Sequence, residues 1–238
     1  MTFIRHVRLD QVHDTHRYPF TLPVVQHLIR RPLELKAPIT FLTGDNGTGK
    51  STLVEAIAVA AGFNAEGGTQ SFHFATKATE SSLGDYLILS WGTRKPRTGF
   101  FLRAESFYNV ATEIDRIGEG IHASYGGKSL HERSHGESFI DLMNHRFGSR
   151  GLYILDEPEA ALSVKGCLTV LRRMHELVEE GSQFIIATHS PILLAVPNAT
   201  ILEITDTIDE VSYDTAEPVR LTRNFLGEPD RFLKHLLD

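Results

Sequence analysis

"PITFLTGDNGTGKSTLVEAIAVAAG", residues 38–62, places an apolar run, a glycine-rich loop and an Ala- and Leu-rich run end to end. The first part reads as a short buried strand stopped by Gly44. The last part, from Lys50, reads as a helix closed by Gly62. Between them "GDNGTGKS", Gly44–Ser51, satisfies G-x-x-x-x-G-K-[ST] in the strand–loop–helix setting that this motif needs. Glycines let the backbone wrap an anion, and the amides at the helix start point at it. Lys50 would reach the β- and γ-phosphates of a nucleotide and the Ser51 hydroxyl would ligate Mg²⁺. Gly44, Asp45, Asn46, Gly47, Thr48, Gly49 and Thr52 complete the cradle.

Two further stretches point to the same chemistry. "GLYILDEPEAALS", 151–163, is an apolar strand ending in Asp156 and Glu157. Strand alternation aims adjacent carboxylates in different directions, so Asp156 can hold a metal while Glu157 activates water. The plainer reading is an acidic strand end that caps the next helix. "FIIATHSP", 184–191, puts His189 just past another apolar strand. Alone, such a histidine is ordinarily structural; beside the other two motifs it reads as a γ-phosphate sensor.

The remaining chain alternates strands and helices. "FIRHVRL" reads as a strand and "YPFTLP" as irregular, because of its prolines. "DYLILSW" and "TGFFLRA" read as two strands joined in a hairpin by the basic turn "GTRKPR". Residues 64–82 and 118–136 read as loop, 106–118 as helix. "ESFIDLMNHRFG" reads as a helix with Phe139, Leu142, Met143 and Phe147 on its apolar side. A long helix over 162–180, the strand "SQFIIAT", a short helix at "PILLA", a closing hairpin and a terminal helix follow. The alternation predicts an α/β fold with a covered, mainly parallel sheet.

Bulk properties bound the function. The 238 residues, 41% hydrophobic and 23% charged, suit one globular domain with a subdomain. A formal charge of −6 offers no global basic field for nucleic acid. The densest basic cluster is Arg94, Lys95 and Arg97; solvated turn charges are its default reading, contact with an acidic partner the alternative. One cysteine, Cys167 inside a helical pattern, excludes an internal disulfide framework and suggests an inert buried thiol. The charged N-terminus lacks a signal peptide's apolar segment and no run is long enough for a membrane span, so a cytoplasmic protein is expected.

The ordered set of "GDNGTGKS", "LDEP" and "THSP" resembles the ATPase head of ABC-type P-loop proteins, a group that includes transporter motors and the heads of chromosome-maintenance and DNA-repair ATPases. "DEPEAALS" and "THSPILL" are similar to the small stand-alone, soluble AAA/ABC-type branch. The resemblance covers nearly the whole chain, implying one ABC-type ATPase domain over 1–238, with an N-terminal antiparallel β portion and an intermediate helical subdomain over about 64–148. It also implies ATP and Mg²⁺ as cofactors. By the same resemblance "RSHGESF", 133–139, stands where such heads carry a signature loop, with Ser134, Gly136 and Glu137 in matching places and His135 replacing a glycine. A capping box, Ser134 with Glu137, is the compatible structural reading.

Departures from the family pattern are visible too. No clear glutamine loop is present; Gln70 and Glu105 are the candidates, with Glu105 favoured. Ser163 replaces the aspartate usual after the second motif. Tyr18 or Phe20 could stack on adenine, although packing is the default for both. The span from Lys50 to Ser134 leaves no space for long coiled-coil arms, and no nuclease domain is expected after the head. The resemblance implies an ATPase that pairs head to tail on ATP, serving an unidentified protein partner or nucleic acid. A transporter motor subunit and a non-hydrolysing ATP-gated module are the alternatives.

Overall fold

Strands that are apolar on both faces build the central layer. The computed structural model describes residues 2–10, 15–69, 82–103 and 135–237. In chain order its strands are β1 (Ile4–Leu9), β2 (Leu33–Glu34), β3 (Ile39–Gly44), β4 (Leu87–Trp91), β5 (Thr98–Arg103), β6 (Gly151–Asp156), β7 (Gln183–Ala187), β8 (Thr200–Ile204) and β9 (Ile208–Val211). The helices are α1 (Pro23–Arg30), α2 (Lys50–Ala60), α3 (His135–Arg146), α4 (Val164–Glu179), α5 (Glu217–Gly227) and α6 (Pro229–Leu237). The main sheet has the order β5-β6-β7-β3-β8-β9, parallel throughout except for the β9 edge. A separate antiparallel sheet has the order β2-β1-β4. This is the mainly parallel α/β architecture with an N-terminal antiparallel portion that the sequence predicts.

Each central strand feeds two cores. Phe41, Phe100, Tyr153 and Phe184 enter a cluster with Phe139, Leu142 and Met143 of α3 and Val170 and Met174 of α4. Their neighbours Leu42, Phe101, Ile154 and Ile185 enter another with Leu53 and Ile57 of α2, Val24 and Leu28 of α1, and Ile4 and Val7 of β1. Period-two alternation of side chains, apolar on both faces, allows only this covered arrangement. Cys167 is buried within the α3–α4 side, where desolvation raises its pKa, as expected of an inert thiol. Among the described residues no helix is long and apolar enough to cross a membrane.

One feature departs from the sequence expectation, helices α1 and α5 lie where it named no element, and the terminal helix α6 lies where it was expected. Strands β4 and β5 form no hairpin: β4 pairs with β1 in the small sheet, and β5 pairs in parallel with β6. The basic stretch between them is therefore a crossover between sheets, with Arg94, Lys95 and Arg97 exposed and the Lys95 ammonium 3.9 Å from the Trp91 ring centre. Helix α1 begins directly after the proline-rich stretch because Pro23 occupies its first turn, where the missing N–H is not needed. Helices α5 and α6 form a C-terminal arm. Val219 anchors α5, no residue of α6 is buried, and Phe225 meets Phe232 edge-on at 5.8 Å.

Two polar contacts join the layers. The buried Gln183 side chain accepts from the N–H groups of Phe3 (2.7 Å) and Ile4 (2.9 Å) and donates to the Ile4 carbonyl (2.9 Å), tying β1 to the foot of β7. On the far side, buried His27 of α1 accepts from the Ile208 N–H at Nδ1 (3.2 Å), and the Arg31 Nε–H reaches Nε2 (3.0 Å). A neutral ring accepts at one nitrogen only, so these contacts alternate; a protonated ring accepts neither. Burial, then the Arg31 charge, lowers the His27 pKa.

The folded state thus resists a proton that the unfolded chain takes up at its ordinary pKa, so this contribution to stability is present above the unfolded value and is lost as pH falls through it. Unfolding temperature should drop between about pH 7.5 and 5.5, and His27→Gln should flatten that drop. Thermal melts of both proteins across this range check it.

Candidate functional site

The carboxyl ends of β3, β6 and β7 meet at one level, and hydrogen bonds beyond the ladder keep them there. Thr188 N–H donates to the Leu42 carbonyl (3.1 Å), and Glu157 N–H to the Ala187 carbonyl (2.9 Å). The Gly44–Ser51 loop leaves β3 at this level, Asp156 and Glu157 leave β6, and His189 leaves β7. This is where open α/β sheets bind ligands. The structure therefore brings together all three motifs singled out in the sequence.

The loop's shape follows from its glycines. Gly44 has φ +135°, and a Cβ there would lie 2.2 Å from the Ile204 carbonyl oxygen, so β8 runs too close for any side chain. Gly49 caps α2 at φ +94°. Thr48 Oγ1 donates to the Asp45 carbonyl (2.9 Å) and braces the turn, while Asp45, Asn46 and Gly47 are exposed. Lys50 is buried, and its ammonium donates to the carbonyls of Gly44 and Asp45, each at 2.7 Å. Burial lowers its pKa, while Glu157, Asp156 and Asp45 pull it back up. Ser51 and Thr52 follow, half-buried, on the first turn of α2.

Asp156 is buried at the end of β6; Glu157 is half-buried. Glu157 has φ 49°, ψ 50°, a left-handed conformation that a non-glycine residue holds at an expense of about 1–3 kcal/mol and that collects at functional sites. Glu157 lies beyond the end of β6, so the strand alternation expected to separate the two carboxylates does not govern it. Glu159 was not assigned a role from the sequence, yet its Oε1 accepts from Thr188 Oγ1 and from the His189 N–H, both at 2.7 Å. It thereby fixes the loop that carries the imidazole. Glu159 Oε2 and His189 Nε2 are buried without a hydrogen-bond partner.

Arg103, closing β5, was also missed. It stands in register with Asp156; its Nε lies 3.5 Å from Asp156 Oδ2, and its guanidinium pairs with buried Glu55 of α2 at 2.5 Å. The signal available was a charged residue ending the apolar run "TGFFLR".

The other candidates are dispersed. Gly136 and Glu137 lie in the first turn of α3; a Cβ on Gly136 would be 2.7 Å from the Ala161 carbonyl oxygen, so α3 starts hard against the turn that follows Glu157. Ser163 caps α4, accepting from the Gly166 N–H at 3.1 Å. Phe20 is a core residue, 1% exposed and edge-on to Tyr86, which leaves no face for adenine. Tyr18 is 65% exposed. Gln70, Glu105, Ser134 and the expected helix over 106–118 lie outside the described residues.

Residues 26–126, which include the glycine loop and α2, match the family described as AAA domain. The chain is similar to ABC-type P-loop ATPases. The UvrABC system protein A of Agrobacterium fabrum is 27% identical over 142 residues, which make up 57% of this chain and 14% of that protein. Two solved structures overlap most of the chain at low similarity. One is the SMC head domain from Thermotoga maritima (15% identity, 88% of this chain and 98% of that one, TM-score 0.46). The other is a metal-chelate type ABC transporter in an inward-facing conformation (13% identity, 90% and 85%, TM-score 0.48).

Removing the Glu159 carboxylate leaves a part-buried backbone N–H and a hydroxyl without their acceptor. Glu159→Ala should lower stability by about 2–4 kcal/mol, read as a shift in denaturant midpoint at unchanged slope.

Proposed function

We propose that the chain binds and hydrolyses ATP with Mg²⁺, and that two copies pair head to tail around two nucleotides. The observation that carries this reading is the convergence of the Gly44–Ser51 loop, the Asp156–Glu157 pair and His189 on three strand ends. The residues fit the nucleotide: Gly44, Gly47 and Gly49 all have positive φ, and the loop already curls around a buried ammonium. They also fit the metal. A serine hydroxyl and one carboxylate suit a hard cation that takes its other ligands from phosphate and water. Among the described residues no group of three or more His, Cys, Asp or Glu forms a protein-only cage.

Each residue then has a distinct part. Lys50 exchanges its carbonyl partners for β- and γ-phosphate oxygens, a charge-assisted contact stronger than the one it replaces. Ser51 and Asp156 would hold Mg²⁺, which would supply positive charge to offset that of the phosphates. Glu157 accepts the proton of the attacking water. His189 donates from its partnerless Nε2 to the γ-phosphate, with Glu159 holding its backbone. Asp45, Asn46, Gly47, Thr48 and Thr52 line the phosphates.

Glu157→Gln should keep ATP affinity but reduce turnover by about 10²–10⁴-fold, since an amide orients water without taking its proton. Lys50→Ala should instead weaken binding. Nucleotide titration and phosphate release separate the two, and unchanged turnover in Glu157→Gln would remove that residue from the base role.

Pairing follows from the resemblance of "RSHGESF" to a signature loop. Ser134, with Gly136 and Glu137 of the first turn of α3, would complete the partner's γ-phosphate site, giving a closed two-fold arrangement. Ser134→Arg should then leave ATP binding by the monomer intact and abolish the ATP-dependent dimer, seen as solution mass in the Glu157→Gln background. Loss of ATP binding by the Ser134→Arg monomer would mean that the loop serves its own chain. A DNA-repair setting is in keeping with the similarity to a UvrABC system protein, and the partner that receives the motion is another protein or a nucleic acid.

A further inference from the structure

We propose that the cleft at the amino ends of β5 and β6 docks a mixed-charge segment of a partner protein, with acidic residues seated on its arginines and a basic residue on its glutamates. The cleft lies at the opposite end of the sheet from the three motifs: β6 alone sets Arg150 roughly 20 Å from Asp156. The inference holds whether or not the nucleotide reading does.

The cleft has a volume of about 460 Å³ and draws its charges from three chain segments: Arg94, Lys95 and Arg97 before β5, Arg150 before β6, and Glu179 and Glu180 at the end of α4. All are exposed. Arg5 of β1, against Gly92, adds to the basic side. Elsewhere on the surface opposite charges collapse into pairs, as in Arg172 with Glu176 (2.9 Å), Arg223 with Asp214 (2.8 Å) and Arg231 with Glu228 (3.1 Å). Here both signs face one cleft, yet none of its charged side chains makes an ion pair or a side-chain hydrogen bond with another described residue. Lys95 has only the Trp91 ring, 3.9 Å away.

The backbone holds these charges apart. The Arg97 N–H donates to the Arg150 carbonyl (2.9 Å) and the Arg150 N–H to the Glu180 carbonyl (3.3 Å), so main chain ties the three segments together. Arg150 has φ 55°, a left-handed conformation that glycine takes at less expense and that collects at functional sites when held by another residue. Its stem lies over Gly181, where an added Cβ would stand 3.4 Å from Arg150 Cγ. Phe3, buried and also lining the cleft, is fixed by its bond to the Gln183 side chain (2.7 Å).

Charge chooses the ligand. Guanidinium forks take carboxylates or phosphates bidentately. A nucleic-acid strand offers only anions and would set phosphates against Glu179, Glu180 and the carbonyl end of α4. A protein segment offers carboxylates to the arginines and an ammonium or guanidinium to the glutamates. Because the charged side chains are all exposed, the cleft suits a macromolecular surface; a site for a small free ligand encloses most of it.

The probe is a panel of fluorescein-labelled peptides, each with several acidic residues and one lysine at varied spacing, titrated with the full chain. Salt is kept at about 0.15 M, where exposed charges are screened beyond roughly 8 Å. At least one peptide should bind, and Lys50→Ala, which removes the cation of the glycine loop, should leave its affinity unchanged. Arg97→Gln/Arg150→Gly should weaken it about three- to tenfold, since exposed pairs contribute little each. Glycine relieves the φ at 150, so the unfolding temperature should not fall; Arg97→Gln alone, still weaker in peptide binding, covers the case in which it does. Unchanged binding in these variants overturns the proposal. Glu179→Gln/Glu180→Gln separates the ligand classes: it should weaken the mixed-charge peptide about two- to fivefold and tighten any contact with labelled oligothymidylate. A peptide bound as well or better by that variant, or oligothymidylate bound more tightly than every peptide by the wild type, overturns the proposal. So does a panel in which no peptide binds at about 100 μM protein.

Discussion

The hydrogen bonds from Thr188 N–H to the Leu42 carbonyl and from Glu157 N–H to the Ala187 carbonyl extend the parallel ladder one step beyond the strands. The chain directions at the top of β3, β6 and β7 depend on them. Because these strands are packed on both faces, their ends cannot slide or tilt independently, and side chains launched from them inherit that rigidity. The loop, the carboxylate pair and the imidazole-bearing turn are thus positioned by one layer of structure. None of them depends on a long flexible connection within the described residues.

Charge is organised around the same level. Lys50 donates to loop carbonyls, Glu159 accepts from a hydroxyl and an amide, and Glu55 and Asp156 share one guanidinium. Each buried ionic group has a partner from a different element, so the strand ends and α2 are cross-linked electrostatically as well as sterically. Such arrangements are poor sources of net stability, since desolvation offsets most of the attraction. What they supply is geometry at the strand ends.

The sequence made the glycine loop, the acidic strand end and the histidine turn legible because each is a local pattern with a local cause. Helix α3 was legible for the same reason: Phe139, Leu142, Met143 and Phe147 repeat at helical spacing and all are buried. What escaped were relations across the chain. "DYLILSW" and "TGFFLRA" carry strand patterns that do not say which sheet each joins, and the short basic stretch between them suited a hairpin. Arg103 and Glu55 are unremarkable in the sequence, and their importance appears only once β5 is seen beside β6 and below α2. Glu159 belongs to a motif already noticed, but its acceptor role depends on a turn 29 residues away. Phe20 and Tyr18 were equivalent as residue types and differ only in burial.

The contrast between the twice-covered sheet and the C-terminal arm has a consequence for how the molecule breathes. Amides in β6 and β7, enclosed by two separate apolar clusters, exchange with deuterium only when the whole domain opens, so their protection reports global stability. Helix α6, with no buried residue, is held by little beyond its own hydrogen bonds and the contact with α5, and a helix that short is marginal by itself in water. Its amides open on their own schedule. A single exchange experiment therefore reads two independent equilibria in one chain, one belonging to the twice-covered sheet and one to the arm.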